Sequence, residues 1–228
     1  MHLMRHTYYQ QLAPALRGLA PLSVITIDHV VVQFPRNNLN EVFDWYNRVL
    51  NFKRYWSADE KILHTEHSGV KSHVVTNHNE RVKMPLCEVT LSPKAKSKSE
   101  EFVRYNNGAG IHHIALLTDD IVSVVANMRE RGMDFLYTPD IFYDQLEDQL
   151  KACPVQIKQD IEQLRKLKIL VDFDEQGYLL QIFTRPVQDR PTLVFEFIQR
   201  FNHDGFGAGN FLALFKAIEA ETAMRGNL

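Results

Sequence analysis

The chain predicts an α+β fold built twice from one strand–helix–strands unit, on three observations. A β-rich run, a helical run and further β-rich runs occur in that order from Val24, and the order begins again after Gly110. The first strand of each copy holds histidine inside an apolar stretch: Ile27-Asp28-His29-Val30-Val31 and Ile111-His112-His113-Ile114-Ala115-Leu116. The spacing is even, with 84 residues from His29 to His113 and 83 from His113 to Glu196 in the last strand. The two copies do not align in sequence, so the repetition is expected in structure. Two such units can curl their sheets around a shared cavity into which alternate strand residues project.

The elements follow in order. Residues 1–23 are a lead-in, with a short helix over Thr7 to Arg17 broken by Gly18 and Pro21. Val24 to Phe34 is a strand stopped by Pro35, and Leu39 to Leu50 has apolar residues at helical spacing behind Asn37 or Asn38 as cap. Strands are expected over 51–57, 62–66, 70–76 and 82–88, with turns at Ser68-Gly69 and Asn77-His78-Asn79. Ser92 to Lys98 is a loop, and a short helix over Ser99 to Tyr105 closes at Asn107-Gly108. The second copy has a strand at His112 to Leu117 and a helix capped by Asp119 that runs to Arg131. Added helices are expected at Asp140 to Leu150 and Pro154 to Arg165, the latter with proline in its first turn. Strands at 169–172, 178–184 and 192–199 precede a last helix, Phe211 to Met224. The expected organisation is the lead-in followed by one domain, 24–228, with modules 24–105 and 106–228.

Composition excludes several classes. At 45% hydrophobic and 24% charged, the chain has the make-up of an ordinary globular protein. A net charge of −2 gives no reason to expect nucleic acid or an anionic membrane as partner. Two cysteines, Cys87 and Cys153, make no disulfide framework or CxxC pair, so a reducing compartment is expected. With no signal-peptide h-region or membrane-length apolar run, a cytoplasmic location is expected.

The chemistry centres on Glu196. The run Leu193-Val194-Phe195-Glu196-Phe197-Ile198-Gln199-Arg200 is apolar on both sides of one carboxylate, and a buried carboxylate must pair, shift its pKa or bind a metal. Two histidines and one carboxylate are the ligand set that leaves open positions on non-haem iron(II). The alternatives are a hydrogen-bonded core histidine at 29 and an ion pair of Glu196 with Arg190 or Arg200. Strand alternation allows only one of His112 and His113 to face the cavity of His29, and does not choose between them. His2, His6, His64, His67, His73, His78 and His203 are expected on the surface or in packing. The loop Gly205-Phe206-Gly207-Ala208-Gly209-Asn210 is not a phosphate-binding fingerprint, since no strand runs directly into it and no βαβ unit follows. It reads as a flexible loop or a gate carrying Phe206 and Phe211 over an aromatic ligand.

From about residue 24 onward the chain resembles the catalytic C-terminal half of the 4-hydroxyphenylpyruvate dioxygenases, within the vicinal oxygen chelate superfamily. The matching stretches include Gly108-Ala109-Gly110-Ile111-His112-His113-Ile114-Ala115-Leu116, Gly177-Tyr178-Leu179-Leu180-Gln181-Ile182-Phe183-Thr184 and Arg190-Pro191-Thr192. They continue with Glu196-Phe197-Ile198-Gln199-Arg200 and Gly205 to Phe211. The resemblance implies paired βαβββ modules forming a half-open barrel, with iron(II) held by His29, His113 and Glu196. It implies a pocket of Ser72, Gln181, Phe183, Phe206, Asn210 and Phe211, with Gln181 and Phe183 nearest the chemistry. Aryl 2-oxo acid and O2 are the implied reactants, and homogentisate the implied product. Three positions depart from the family's Asn and two Gln: Cys87, Lys98 and His112. They put the ring's placement in doubt and admit a hydroxymandelate product, another aryl 2-oxo acid as substrate, or a non-catalytic homologue that binds metal or ligand. The family's non-catalytic N-terminal half has no counterpart here, so a homodimer is expected.

Overall fold

The computed structural model describes residues 21–58, 70–89, 98–224 and 226. The lead-in helix, the strand expected at 62–66 and the 92–97 loop lie outside these residues.

The first module is β1 (Val24–Phe34), α1 (Leu39–Leu50), β2 (Lys53–Ala58), β3 (Val70–Thr76) and β4 (Lys83–Val89). A linking helix α2 (Lys98–Asn106) leads to the second module, β5 (Gly110–Thr118), α3 (Ile121–Glu130), α4 (Ile141–Leu150), α5 (Ile161–Leu167), β6 (Leu170–Phe173), β7 (Tyr178–Phe183) and β8 (Val194–Phe201). A 3-10 turn over Ala208–Asn210 passes into the last helix, α6 (Phe211–Met224).

All eight strands form one mixed, unclosed sheet in the order β2-β3-β4-β1-β5-β8-β7-β6. The expected repetition is present. In each module the first strand pairs in parallel with the last, β1 with β4 and β5 with β8, and the modules join through antiparallel β1 and β5. The repetition extends to capping. Glu88 at the end of β4 accepts the Leu39 backbone N–H at 2.8 Å, and Gln199 in β8 accepts that of Ile121 at 3.1 Å. The closing strand of each module thus satisfies the first orphan donors of that module's first helix.

Helices cover one face of the sheet. Tyr178, Leu180, Ile182 and Phe197 pack with Ile121, Val124, Val125, Tyr143, Leu146 and Leu164 in the second module, while Leu39, Val75 and Leu86 form the smaller core of the first. The other face, including Ala115, Leu179 and Ile198, carries the candidate site. Among the described residues no helix is long and apolar enough to cross a membrane.

Two helices start behind a different residue from the one expected. Asp120, rather than Asp119, caps α3, accepting the Ser123 N–H at 3.1 Å. Residues 154–160 lie outside any helix or strand, and α5 starts behind Asp160, whose carboxylate accepts the Glu162 N–H at 3.0 Å. In both places a carboxylate that can reach two residues or three along the backbone outweighs a proline signal or a neighbouring acid.

Candidate metal centre

Glu196 Oε2 lies 3.3 Å from His29 Nε2 and 3.3 Å from His113 Nε2. Donor atoms of the three residues all fall within 4.8 Å of one another. Each of the three comes from a different strand, β1, β5 and β8, consecutive neighbours in the middle of the sheet. His29 and Glu196 are almost fully buried, at 3% and 2% exposed. An imidazole nitrogen on either side of one carboxylate oxygen, out of water, calls for a positive charge between them. Two nitrogens and an oxygen converging from one side suit a divalent transition metal with open positions. The ion pair of Glu196 with an arginine is not what forms. Arg200 pairs with Asp28 instead, and Arg190 lies at the surface beside Asp189.

A β-bulge stands next to each histidine. The β1–β5 register shifts between Ile27 and His29, leaving Asp28 extra, and between Val31 and Val32, leaving His112 extra. Bulges re-aim side chains. Here they turn Asp28 onto His29 Nδ1 at 2.7 Å and His112 Nδ1 onto His113 Nδ1 at 2.8 Å. Strand alternation, which would separate His112 from His113, is therefore broken and the two rings sit together, 5.2 Å between centroids. With each Nδ1 engaged, each Nε2 points at Glu196, the arrangement by which outer partners orient metal histidines.

The electrostatics agree. Burial pushes the Glu196 carboxyl up, but the His29 charge and the hydrogen bonds from His113 and His29 outweigh it and hold it at about 2. Burial disfavours the His29 imidazolium, yet the Glu196 charge and the Asp28 hydrogen bond raise its pKa overall. Burial also works against Asp28, whose carboxyl nonetheless stays well below the usual range because Arg200 and His29 bond to it.

Several of the residues expected in a pocket lie on either side of this centre. Phe183 pairs with Glu196 across β7 and β8, and its ring meets His113 edge-on at 5.4 Å. Gln181, two residues away on the same face, and Asn210 in the 3-10 turn are 1% and 0% exposed, and no side-chain atom of either amide has a hydrogen-bond partner among the described residues. Unpaired buried amides are costly, so these two are the groups a polar ligand would satisfy. On the first-module side Ser72 and Cys87 face each other on β3 and β4, Sγ to Oγ 3.5 Å. Burial pushes the Cys87 thiol up to about 11, against the Ser72 hydrogen bond, so it stays a neutral, weak donor. Phe206 meets His29 edge-on at 5.1 Å, and Phe211 stacks on Phe215 at 5.9 Å. Lys98 opens α2, and its side chain lies outside the described residues.

The glycine loop is less a hinge than a close fit. Gly207 has φ +75°, and a Cβ there would lie 2.6 Å from Gln181 Cδ and nearer still to both amide heteroatoms. Gly209 donates its N–H to buried Asp172 at 3.2 Å. The sequence pattern does not mark Asp28, Asp172 or Arg200 as site residues. Two of them nonetheless carry a local signal: an acid directly before a strand histidine, and an arginine four residues beyond Glu196 on the same face.

A family model described as the Glyoxalase/Bleomycin resistance protein/Dioxygenase superfamily matches residues 26–182. The chain is 52% identical over 215 residues to a 4-hydroxyphenylpyruvate dioxygenase of Danio rerio, covering 94% of this chain and 54% of that protein. It is 46% identical over 222 residues to one of Dictyostelium discoideum, covering 97% and 60% respectively. Among solved structures, a variant 4-hydroxymandelate synthase from Streptomyces coelicolor is 33% identical with TM-score 0.76, covering 91% of this chain and 57% of that one. The chain spans about half the length of the curated relatives it matches.

Proposed function

The chain belongs to the glyoxalase/bleomycin resistance protein/dioxygenase superfamily, and from that premise we propose that it is an iron(II)-dependent dioxygenase of an aryl 2-oxo acid. The substrate assigned is 4-hydroxyphenylpyruvate, which with O2 gives homogentisate and CO2. The observation that carries the reading is the convergence of His29, His113 and Glu196 beside two buried amides that lack partners. Identity near one half to dioxygenases of this name supports the substrate.

His29, His113 and Glu196 would hold the metal through Nε2, Nε2 and Oε2. A bound ferrous ion supplies Lewis acidity, redox capacity and open positions for dioxygen chemistry. The remaining work falls to the chain. Asp28 and His112 keep both imidazoles in the orientation that aims Nε2 inward. Gln181 and Asn210 hydrogen-bond the polar end of the substrate, replacing the water those amides would otherwise need. Phe183, Phe206 and Phe211 pack on the ring and exclude solvent. Ser72 and Cys87 line the opposite wall, with Lys98 and His112 as further determinants of ring placement.

The hydroxymandelate alternative rests on two observations. One is the likeness to 4-hydroxymandelate synthase; the other is the neutral thiol at 87, where the family carries an amide. A thiol grips a phenol more weakly than an amide does, which lets the ring sit differently. The test is anaerobic reconstitution with Fe(II), then 4-hydroxyphenylpyruvate and O2, following oxygen uptake. The two products are isomers and are separated by chromatography and NMR. Homogentisate bears the proposal out, and hydroxymandelate moves it to the alternative. Metal uptake without oxygen consumption, with this and other aryl 2-oxo acids, refutes the assignment as an oxygenase.

A further inference from the structure

Arg200 stands between the centre and the glycine loop. Its Nε and one Nη hold both carboxylate oxygens of Asp28 at 2.8 Å each, and its other Nη donates to the carbonyls of His203 at 2.9 Å and Gly205 at 2.7 Å. Asp28 in turn holds His29 Nδ1 at 2.7 Å. One planar guanidinium therefore joins the outer partner of a candidate metal ligand to two backbone carbonyls of the loop. A second route closes the circuit. Phe206, the residue after Gly205, meets the His29 ring edge-on at 5.1 Å, and the Arg200 guanidinium lies 5.6 Å from the Phe206 ring. Both routes from His29 end in the segment that carries Gly207 over Gln181 and Asn210 into the pocket.

We propose that Arg200 is a positioning residue that links occupancy of the metal centre to seating of the 203–210 loop, so that metal binding and assembly of the substrate pocket favour one another. The inference rests on the reading that His29, His113 and Glu196 take a divalent metal. A metal on Nε2 fixes the plane of His29 and with it Asp28, the guanidinium and the two loop carbonyls. Linkage is reciprocal, so a loosened loop must also weaken the metal. Lysine keeps the charge of Arg200 but cannot make the fork to Asp28 and reach two carbonyls as well.

The probe is Co(II), with anaerobic Fe(II) as a check on wild type. In Arg200→Lys the affinity for Co(II) is expected to fall about 10- to 100-fold, the usual effect of losing an outer partner, with a changed visible spectrum. Asp28→Asn, which keeps the size of the carboxylate, is expected to do the same. Amide hydrogen exchange supplies a readout that simple loss of stability would not mimic. In wild type, Co(II) slows exchange at loop amides such as Gly205, Gly209 and Asn210; in Arg200→Lys saturated with Co(II), it does not. If Arg200→Lys fails to fold by circular dichroism, the wild-type exchange experiment decides alone. Loop exchange indifferent to Co(II), or unchanged affinity and spectrum in both variants, overturns the proposal while leaving the metal centre in place. A wild-type protein that takes up neither Co(II) nor Fe(II) overturns the metal centre itself, and this linkage with it.

Discussion

Replacing Gly207 by alanine tests how far the substrate pocket depends on the close fit of the loop. The added Cβ would stand 2.6 Å from Gln181 Cδ, so the buried amide must move. Two costs combine. A non-glycine residue at φ +75° costs about 1–2 kcal/mol, and forcing a methyl group into a packed site costs about 1–3 kcal/mol. Their sum, roughly 2–5 kcal/mol, corresponds to a fall in Tm of roughly 4–20 °C for a domain of this size. Gly207→Ala is expected to lower kcat/KM for the aryl 2-oxo acid at least tenfold, the loss of about one hydrogen bond, and to weaken Fe(II) in proportion to how far it unseats the loop. Metal affinity by anaerobic titration, Tm by calorimetry and steady-state oxygen uptake test each part. Wild-type kcat/KM in a folded Gly207→Ala would refute the argument that Gln181 must lie under Gly207 to work.

Other outcomes follow from the same geometry. Glu196→Gln removes the charge both imidazoles face and is expected to weaken Fe(II) binding by more than about 100-fold while the fold survives, checked by titration and circular dichroism. In metal-free protein, the stability contributed by Glu196 is present above its ordinary value of 4.5 and lost as pH falls toward about 2. That of His29, whose pKa is raised, is present below 6.5 and lost as pH rises through the raised value. Chelator-treated protein should therefore melt highest between these limits, whereas metal-loaded protein should hold or gain Tm from pH 6.5 upward, because ligation needs neutral imidazole. Parallel Tm curves with and without metal would contradict the site. Reverting Cys87→Asn, Lys98→Gln and His112→Gln together should raise turnover of 4-hydroxyphenylpyruvate; no gain removes these positions from ring recognition. Glu88→Ala should cost about 1–2 kcal/mol by urea unfolding, as loss of the side chain capping α1.

The alternation of strand and helix patterns, and the even placement of strand histidines and Glu196, point to two repeated modules and a candidate set of two histidines and a carboxylate, while the choice of His113 over His112 comes from the family resemblance. Both signals survive because they depend on local periodicity: which face of a strand is apolar, and where a polar group interrupts it. The order of strands, with β1 and β5 as neighbours at the join, depends on contacts between residues far apart in the chain. So does the choice of partner for Glu196. Arg200 lies four residues away on its own strand face, yet it is taken by Asp28, 172 positions distant. Local pattern also misled where a single residue was extra. The bulge at His112 overrides the rule that adjacent strand residues face apart, and only the pairing register reveals it. The glycines of the loop read as freedom in the sequence. Gly207 proves to be a constraint, because the side chain that forbids a Cβ there belongs to Gln181, on a strand the loop meets only when the chain is folded.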